Sequence, residues 1–184
     1  MTDPIDKDAV IAAVRRWVET VVVGLDLCPF ARRELRRERI RFAVTPATTP
    51  AELLASLRTE LERLDTHPAI ETTLLIHPQV LLDFYDYNEF LETADDLLDT
   101  LGMVGIFQIA SFHPHYQFAG TAAADVENYT NRSPYPMLHL LREASLERSI
   151  ASCSDTEQIP LRNIALMKRL GAARLKQLWQ ACFS

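Results

Sequence analysis

The sequence predicts an α/β fold in one domain spanning residues 1–184, with a small, mostly parallel sheet of three or four strands flanked by about six helices. Residues 39–45 alternate polar and apolar side chains, while 72–77 and 104–112 are short apolar runs, as in half-buried and buried strands. Segments with apolar residues at helical spacing precede and separate these strands, and strands joined by helices normally run parallel. The alternative is a ferredoxin-like α+β fold in which 115–120 hides a further strand that forms a hairpin.

Start and stop signals place the helices. Gly24 and Gly102 suit the left-handed position just past a helix end, and Gly171 is expected to bend or loosen the last helix. Ser133 followed by Pro134 is the pattern of an N-cap and a first helical residue. The expected helices are 5–23, Pro29 to about Arg37, from Pro50 past Leu64, 86–101, 133–152 and 160–183.

Composition narrows the class of protein. Hydrophobic residues make up 48% of the chain, which is enough for a core and argues against disorder. The longest nearly uncharged stretch, 17–30, contains Glu19 and Asp26 and is too short to span a membrane. The first residues lack the basic and apolar regions of a secretory signal, and three widely spaced cysteines do not indicate a disulfide framework. We therefore expect a soluble, cytoplasmic protein.

The net charge of -6 argues against nucleic acid as a partner of the whole surface. The charge is nevertheless uneven, because six arginines lie between Arg32 and Arg41 whereas 83–99 is strongly acidic. Either these segments are solvated faces that neutralise each other across the fold, or the basic one meets an acidic partner, including the acidic segment of a second copy in a homo-oligomer.

Histidine follows two of the predicted strands. His77 and His113 each come at a strand end and precede a proline, and His115 follows closely. Ligands of open α/β sheets bind outside the carboxyl ends of the strands, so these side chains are predicted to converge there. His113 or His115 would act as general acid or base, with Tyr116 beside the substrate. The alternative is that proline merely ends each strand and that histidine occupies a half-buried turn.

Residues 127–143 form a second unusual stretch. Asn128, Asn131, Arg132 and Ser133 come immediately before the predicted helix at Ser133. A helix N-terminus together with a guanidinium group is suited to phosphate or carboxylate, which predicts a site for a small anionic substrate. The alternative is an elaborate helix cap, although capping does not require an arginine.

Cys28 is the third candidate. Pro29 fits the first position of the short Arg-rich helix, which makes Cys28 its cap residue. The helix end, with Arg32 one turn further on, would favour the thiolate and make Cys28 a nucleophile. The alternative is a buried small hydrophobe, the role expected of Cys153 and Cys182.

A divalent metal is the alternative occupant of the histidine site. In an extended His-Pro-His segment both imidazoles of His113 and His115 project to one side. His77, His139 or an acid near Asp125 would be the third ligand. His139 is expected inside the helix, with Glu143 four residues on and on the same face.

No nucleotide cofactor is indicated, because the chain lacks a Gly-rich phosphate loop. It also lacks the GxSxG elbow of the α/β-hydrolases. Haem binding through Cys28-Pro29 is conceivable, since a cysteine thiolate can ligate haem iron.

Three blocks of the chain carry a family resemblance: GLDLCPFA at 24–31, ASFHPHYQFAG at 110–120 and NYTNRSPYPMLHLLREAS at 128–145. In this order they resemble DUF1415, a bacterial family of unknown function, over nearly the whole chain. The resemblance implies a soluble protein of about this size and brings no activity, cofactor or catalytic residue.

The residues favour a small enzyme that hydrolyses or transfers a group of a small anionic molecule. The alternatives are a metal-binding protein that uses His113 and His115, and a non-catalytic binding or assembly protein.

Overall fold

The computed structural model describes residues 5–151 and 156–184, so Cys153 lies outside the described residues. The strands, in the spatial order β1-β2-β4-β3, are β1 Ile40–Val44, β2 Thr72–Ile76, β3 Phe107–Phe112 and β4 Met137–Arg142. The α-helices of these described segments are α1 Lys7–Trp17, α2 Ala31–Arg36, α3 Pro50–Thr66, α4 Phe84–Thr100, α5 Glu143–Ala151 and α6 Ile159–Gln180. The predicted α/β class is confirmed.

The sheet is mixed, so the prediction of a mostly parallel sheet is wrong. β1 and β2 pair in parallel, whereas β4 lies between β2 and β3 and runs antiparallel to both. The parallel pair also rules out the antiparallel ferredoxin-like alternative, and residues 115–120 form no strand.

The fourth strand lies inside the segment predicted as a helix from 133 to 152. β4 has the sequence MLHLLR, made largely of good helix formers, and only Glu143–Ala151 is helical. Pairing with a strand on each side satisfies the backbone of β4 and buries Met137, Leu138 and Leu140. This tertiary pairing outweighs the small differences in intrinsic helix propensity.

The direction of β4 has a consequence for the other strands. Because β4 is antiparallel to both β2 and β3, these two strands run the same way, as does β1. The carboxyl ends of β1, β2 and β3 therefore lie at one edge of the sheet, as the sequence predicted. His77 and His113 follow two of these ends.

Helices cover both faces of the sheet. α3 and α4 pack on one face, where four leucines of α3 are fully buried: Leu53, Leu57, Leu61 and Leu64. Each such side chain contributes about 1.5–3 kcal/mol by leaving water. α1 and α6 pack on the other face around Trp17, Leu74 and Met167. None of the helices within 5–151 and 156–184 is long and apolar enough to cross a membrane.

α1 continues directly into a π-helix, Val18–Val23. Gly24, predicted as a left-handed residue after this helix, instead has φ -63°. A Cβ at this position would overlap the carbonyl oxygen of Thr20. Glycine is needed here for close approach of the backbone, and the positive φ, 54°, occurs at Asp26. The bend predicted in the last helix is confirmed at Gly171, where φ is 74°.

Candidate functional site

His77 and His113 converge at the carboxyl edge of the sheet, on either side of Tyr87. Their ring centroids lie 5.8 Å and 5.1 Å from that of Tyr87, and both residues are fully buried. His115 is exposed, with its ring centroid 5.9 Å from that of His113. The edge is therefore an aromatic cluster inside the protein, with one histidine outside it.

Both ring nitrogens of His113 are engaged by the backbone. Nδ1 accepts a hydrogen bond of 3.0 Å from the N–H of His115, so the ring proton is on Nε2. Nε2–H donates to the carbonyl oxygen of Leu81 at 3.1 Å. Burial lowers the pKa of His113 to about 4, which leaves a neutral ring with no nitrogen free for proton transfer.

His77 is held in a similar way. Its Nδ1 donates to the carbonyl oxygen of Val80 at 2.9 Å, while Nε2 is buried without a hydrogen-bond partner. Burial lowers the pKa of His77 to about 4. Together the two histidines bind consecutive carbonyl groups of the turn between β2 and α4, in which Leu81 has φ 55°.

The hydroxyl of Tyr87 joins two strand ends. It donates to the carbonyl oxygen of Met137 at 2.8 Å and accepts from the N–H of Phe112 at 3.0 Å. Burial raises the pKa of Tyr87 well above its usual value, so the hydroxyl keeps the proton that this bridge requires.

The side chains predicted as an anion site lie together, but they bind the loop that contains them. Arg132 donates to the carbonyl oxygens of Tyr116 and Ala123 at 3.2 Å and 2.7 Å. Asn128, fully buried, accepts from the N–H of Phe118 at 3.0 Å and donates to the carbonyl oxygen of Ala122 at 2.9 Å. These groups close the irregular segment between β3 and β4 on itself.

The neighbouring residues make the same kind of contact. Asn131 donates to the carbonyl oxygen of Ser111 at 3.1 Å, and the ring of Tyr116 packs 5.2 Å from that of Phe84. The predicted cap at Ser133 is wrong, because no helix begins there and its hydroxyl donates to the carbonyl oxygen of Tyr135 at 2.6 Å.

No group of three or more His, Cys, Asp or Glu side chains among residues 5–151 and 156–184 is arranged to hold a metal ion. His139 lies in β4, between Leu74 of β2 and Ala110 of β3, and not on a helix face with Glu143.

Arginines of the basic segment meet carboxylates within the fold. Arg41 makes two hydrogen bonds to Glu60, of 2.6 Å and 2.9 Å, and Arg39 contacts Glu71 at 2.6 Å. Both carboxylates lie outside the acidic segment 83–99, so these two pairs are not the expected neutralisation between the basic and the acidic segments.

A cavity of about 290 Å³ lies between the sheet and the helices on the α1 face. Its walls come from the π-helix, α2, α5 and the facing side of the strands. The apolar side chains that line it include Trp17, Val18, Val22, Phe30, Ile40, Leu74, Ala110, Phe112, Leu141 and Leu146. Polar residues also contribute to the lining, but most of its surface is apolar.

His139 and Thr72 are two of those polar residues, and they form a pair across β2 and β4. Nε2 of His139 lies 2.7 Å from the hydroxyl of Thr72, which also lies 2.6 Å from the carbonyl oxygen of Leu140. Burial lowers the pKa of His139 to about 4. The imidazole is therefore neutral at neutral pH.

Cys28 also lines the cavity and is partly exposed. The prediction that it caps the short helix is wrong, because α2 begins at Ala31 and Phe30 occupies the cap position. Cys182, expected to be structural, is fully buried near the chain end.

The two carboxylates of the cavity wall are paired with arginines. Glu34 is paired with Arg33 at 2.5 Å, and Glu71 with Arg39 at 2.6 Å. The guanidinium of Arg142 binds the carbonyl oxygens of Leu64 and Ile70 instead.

Sequence reasoning found Cys28 and His139 but not the cavity that joins them. Helical spacing identified Val18 and Trp17 as core residues. Spacing cannot show that the helix side chains stop short of the sheet and leave a space. The closest sequence signal for this space is that Thr72, Leu74 and Ile76 share one face of β2, since successive side chains of a strand point to opposite faces.

The family comparison agrees with the resemblance of the three sequence blocks. The model of the family described as "Protein of unknown function (DUF1415)" matches residues 9–177. Neither the curated proteins nor the solved structures gave a match to the chain. The chain belongs to the DUF1415 family.

Proposed function

We propose that this protein binds a small, mostly apolar molecule in the cavity between the π-helix and the sheet. The observation that carries the proposal is a space of about 290 Å³ lined mainly by apolar side chains beside the hydrophobic core on the α1 face. Concave sites lined mainly by apolar side chains, with a few polar groups among them, are the usual binding sites of small molecules.

The volume sets the size of the ligand. An apolar cavity of roughly 150 Å³ is large enough to admit benzene. A space of about 290 Å³ is close to the lower limit of ordinary ligand pockets. A bicyclic aromatic molecule, or an aliphatic one of similar volume, therefore fits this site.

The charges favour a neutral ligand over the anionic substrate expected from the sequence. Among the cationic side chains of the lining, Arg33 is paired with Glu34 and Arg142 binds carbonyl oxygens of the backbone. His139 is neutral. The other candidate cation, Arg132, binds two loop carbonyl oxygens. Transfer of an unpaired anion into an apolar space would be strongly unfavourable.

The local backbone supports the same assignment. Val18 and Val22 of the π-helix line the cavity. Segments of π-helix are rare and are found preferentially at functional sites. A catalytic use of the cavity is the second candidate function, favoured by the presence of both the Cys28 thiol and His139 in its lining.

Calorimetric titration with indole tests the proposal. We expect saturable binding to the wild-type protein and its loss in Ala110→Leu and Val22→Phe, since both substitutions fill the cavity. Gln108→Leu is the matched control, because Gln108 is an exposed residue of the same strand and face. Far-ultraviolet circular dichroism establishes that each variant is folded. Equal affinity in the wild type and both filled variants would place the binding elsewhere and refute the proposal.

A further inference from the structure

The hydroxyl of Thr72 fixes which nitrogen of His139 carries the proton. Thr72 Oγ1 donates its single proton to the carbonyl oxygen of Leu140, at 2.6 Å. Towards His139, at 2.7 Å, it can then act only as an acceptor. Nε2 of His139 is therefore the protonated nitrogen, and Nδ1 carries a lone pair.

Nδ1 of His139 is available to a ligand. It has no hydrogen bond to any residue of the described chain, 5–151 and 156–184, and it is not among the fully covered atoms that lack a partner. His139 is half-buried and lines the cavity, so its accessible surface faces that space. Nδ1 of His139 is thus an acceptor of fixed protonation in the lining of the cavity.

We infer that the ligand of this cavity is a neutral molecule with one N–H or O–H donor on an otherwise apolar body, and that this donor binds Nδ1 of His139. The inference rests on the proposed function and names the chemical class of its ligand. Alcohols, phenols and N–H heterocycles belong to this class. Ethers and hydrocarbons of the same shape fit the space but leave the acceptor unpaired.

The selectivity follows from the cost of an unpaired group. A buried polar atom that is left without a hydrogen-bond partner weakens binding, so a site built to bind a donor rejects analogues that lack it. A carboxylate would be rejected as well, because its oxygens and Nδ1 are all acceptors.

Indole and benzofuran form the test pair, because they have nearly the same shape and only indole carries an N–H donor. We expect indole to bind the wild type about tenfold more tightly than benzofuran in calorimetric titrations. In Thr72→Val the acceptor for Nε2–H is lost, the proton is no longer confined to Nε2, and the preference should fall to about twofold or less. Benzofuran affinity should change little.

Thr73→Val is the matched control. Thr73 is the next residue of β2, fully buried on the opposite face of the sheet, and its hydroxyl has no hydrogen-bond partner. This variant should retain the full preference for indole. His139→Phe provides a second test that does not depend on the Thr72 variant folding, and it should abolish the preference.

The outcomes separate this inference from the proposed function. Equal affinities for the two probes, both lost in Ala110→Leu, would overturn the donor requirement while the cavity remained a binding site. A preference that survives in both Thr72→Val and His139→Phe would overturn the role of His139. Failure of both probes to bind the wild type would overturn the proposed function as well.

Discussion

Nε2 of His113 lies 3.1 Å from the carbonyl oxygen of Leu81, and this hydrogen bond ties the end of β3 to the turn before α4. The second nitrogen of the same ring accepts from the N–H of His115. His113, which the sequence analysis predicted as a general acid or base, thus connects two backbone segments. The stability of the protein should depend on such neutral rings.

Acid should destabilise the protein before its carboxylates titrate. Burial lowers the pKa of His77, His113 and His139 from 6.5 to about 4. Between these pH values the unfolded chain binds more protons than the folded one, so the free energy of unfolding falls as the pH falls. Each histidine contributes up to about 1.4 kcal/mol per pH unit within this window and adds no further loss below it.

Urea unfolding at constant ionic strength, in steps across that window, measures this slope. His139→Gln should lower the slope of the free energy of unfolding against pH by the contribution of one histidine. A free energy of unfolding that stays constant between pH 6.5 and 5 would contradict the low pKa values.

Removal of the Tyr87 hydroxyl should destabilise the fold. Tyr87→Phe leaves the N–H of Phe112 and the carbonyl oxygen of Met137 without this partner inside the protein. We expect a loss of about 1–3 kcal/mol in the free energy of unfolding, measured with urea. Tyr85→Phe makes the same chemical change on a side chain that is 72% exposed and should have almost no effect. Similar losses in the two variants would argue against the bridge.

Arg132 should act on stability and not on anion binding. Arg132→Gln removes hydrogen bonds to the carbonyl oxygens of Tyr116 and Ala123 and should lower the free energy of unfolding by about 1–3 kcal/mol. Arg37→Gln, at an exposed position, is the control. Phosphate should not raise the melting temperature above that in chloride at equal ionic strength. A saturable phosphate effect that disappears in Arg132→Gln would restore the anion site.

Cys28 should be alkylated, and a cavity ligand should slow the reaction. In a Cys153→Ser background, iodoacetamide is expected to modify Cys28 before the fully buried Cys182, as followed by mass spectrometry. Indole at about ten times its dissociation constant should slow the modification about tenfold. If Cys28 resists alkylation in the folded protein but reacts when unfolded, a nucleophilic role is ruled out. If indole does not slow the alkylation of Cys28, the bound ligand does not cover this thiol.

Local sequence signals predicted the parts of the fold that depend on local chemistry. Thr49 and Pro50 predict the start of α3, and the structure has a complete capping box between Thr49 and Glu52. Gly102 ends the helix before β3 with φ 66°. Such signals depend on residues within one helical turn of each other, so a single sequence contains them.

The site depends on contacts that the sequence does not record. Thr72 and His139 meet only because β2 pairs with β4, and β4 is made of residues that favour helix when considered alone. By contrast, Arg132 and Asn128 were conspicuous because loops that satisfy their own backbone need polar side chains. The sequence alone does not distinguish polar residues that bind their own loop from polar residues that bind a substrate.

The protonation state of His139, observed with and without a ligand, tests the central claim most directly. Two-bond ¹H–¹⁵N NMR spectra distinguish a protonated from an unprotonated ring nitrogen. At neutral pH we expect a protonated Nε2 and an unprotonated Nδ1, with the Nδ1 resonance shifting on addition of indole in the direction of an accepted hydrogen bond and much less with benzofuran. The assignment of His139 and its cavity as the binding site would be contradicted if Nδ1 were protonated. It would also be contradicted if saturating indole did not shift the Nδ1 resonance.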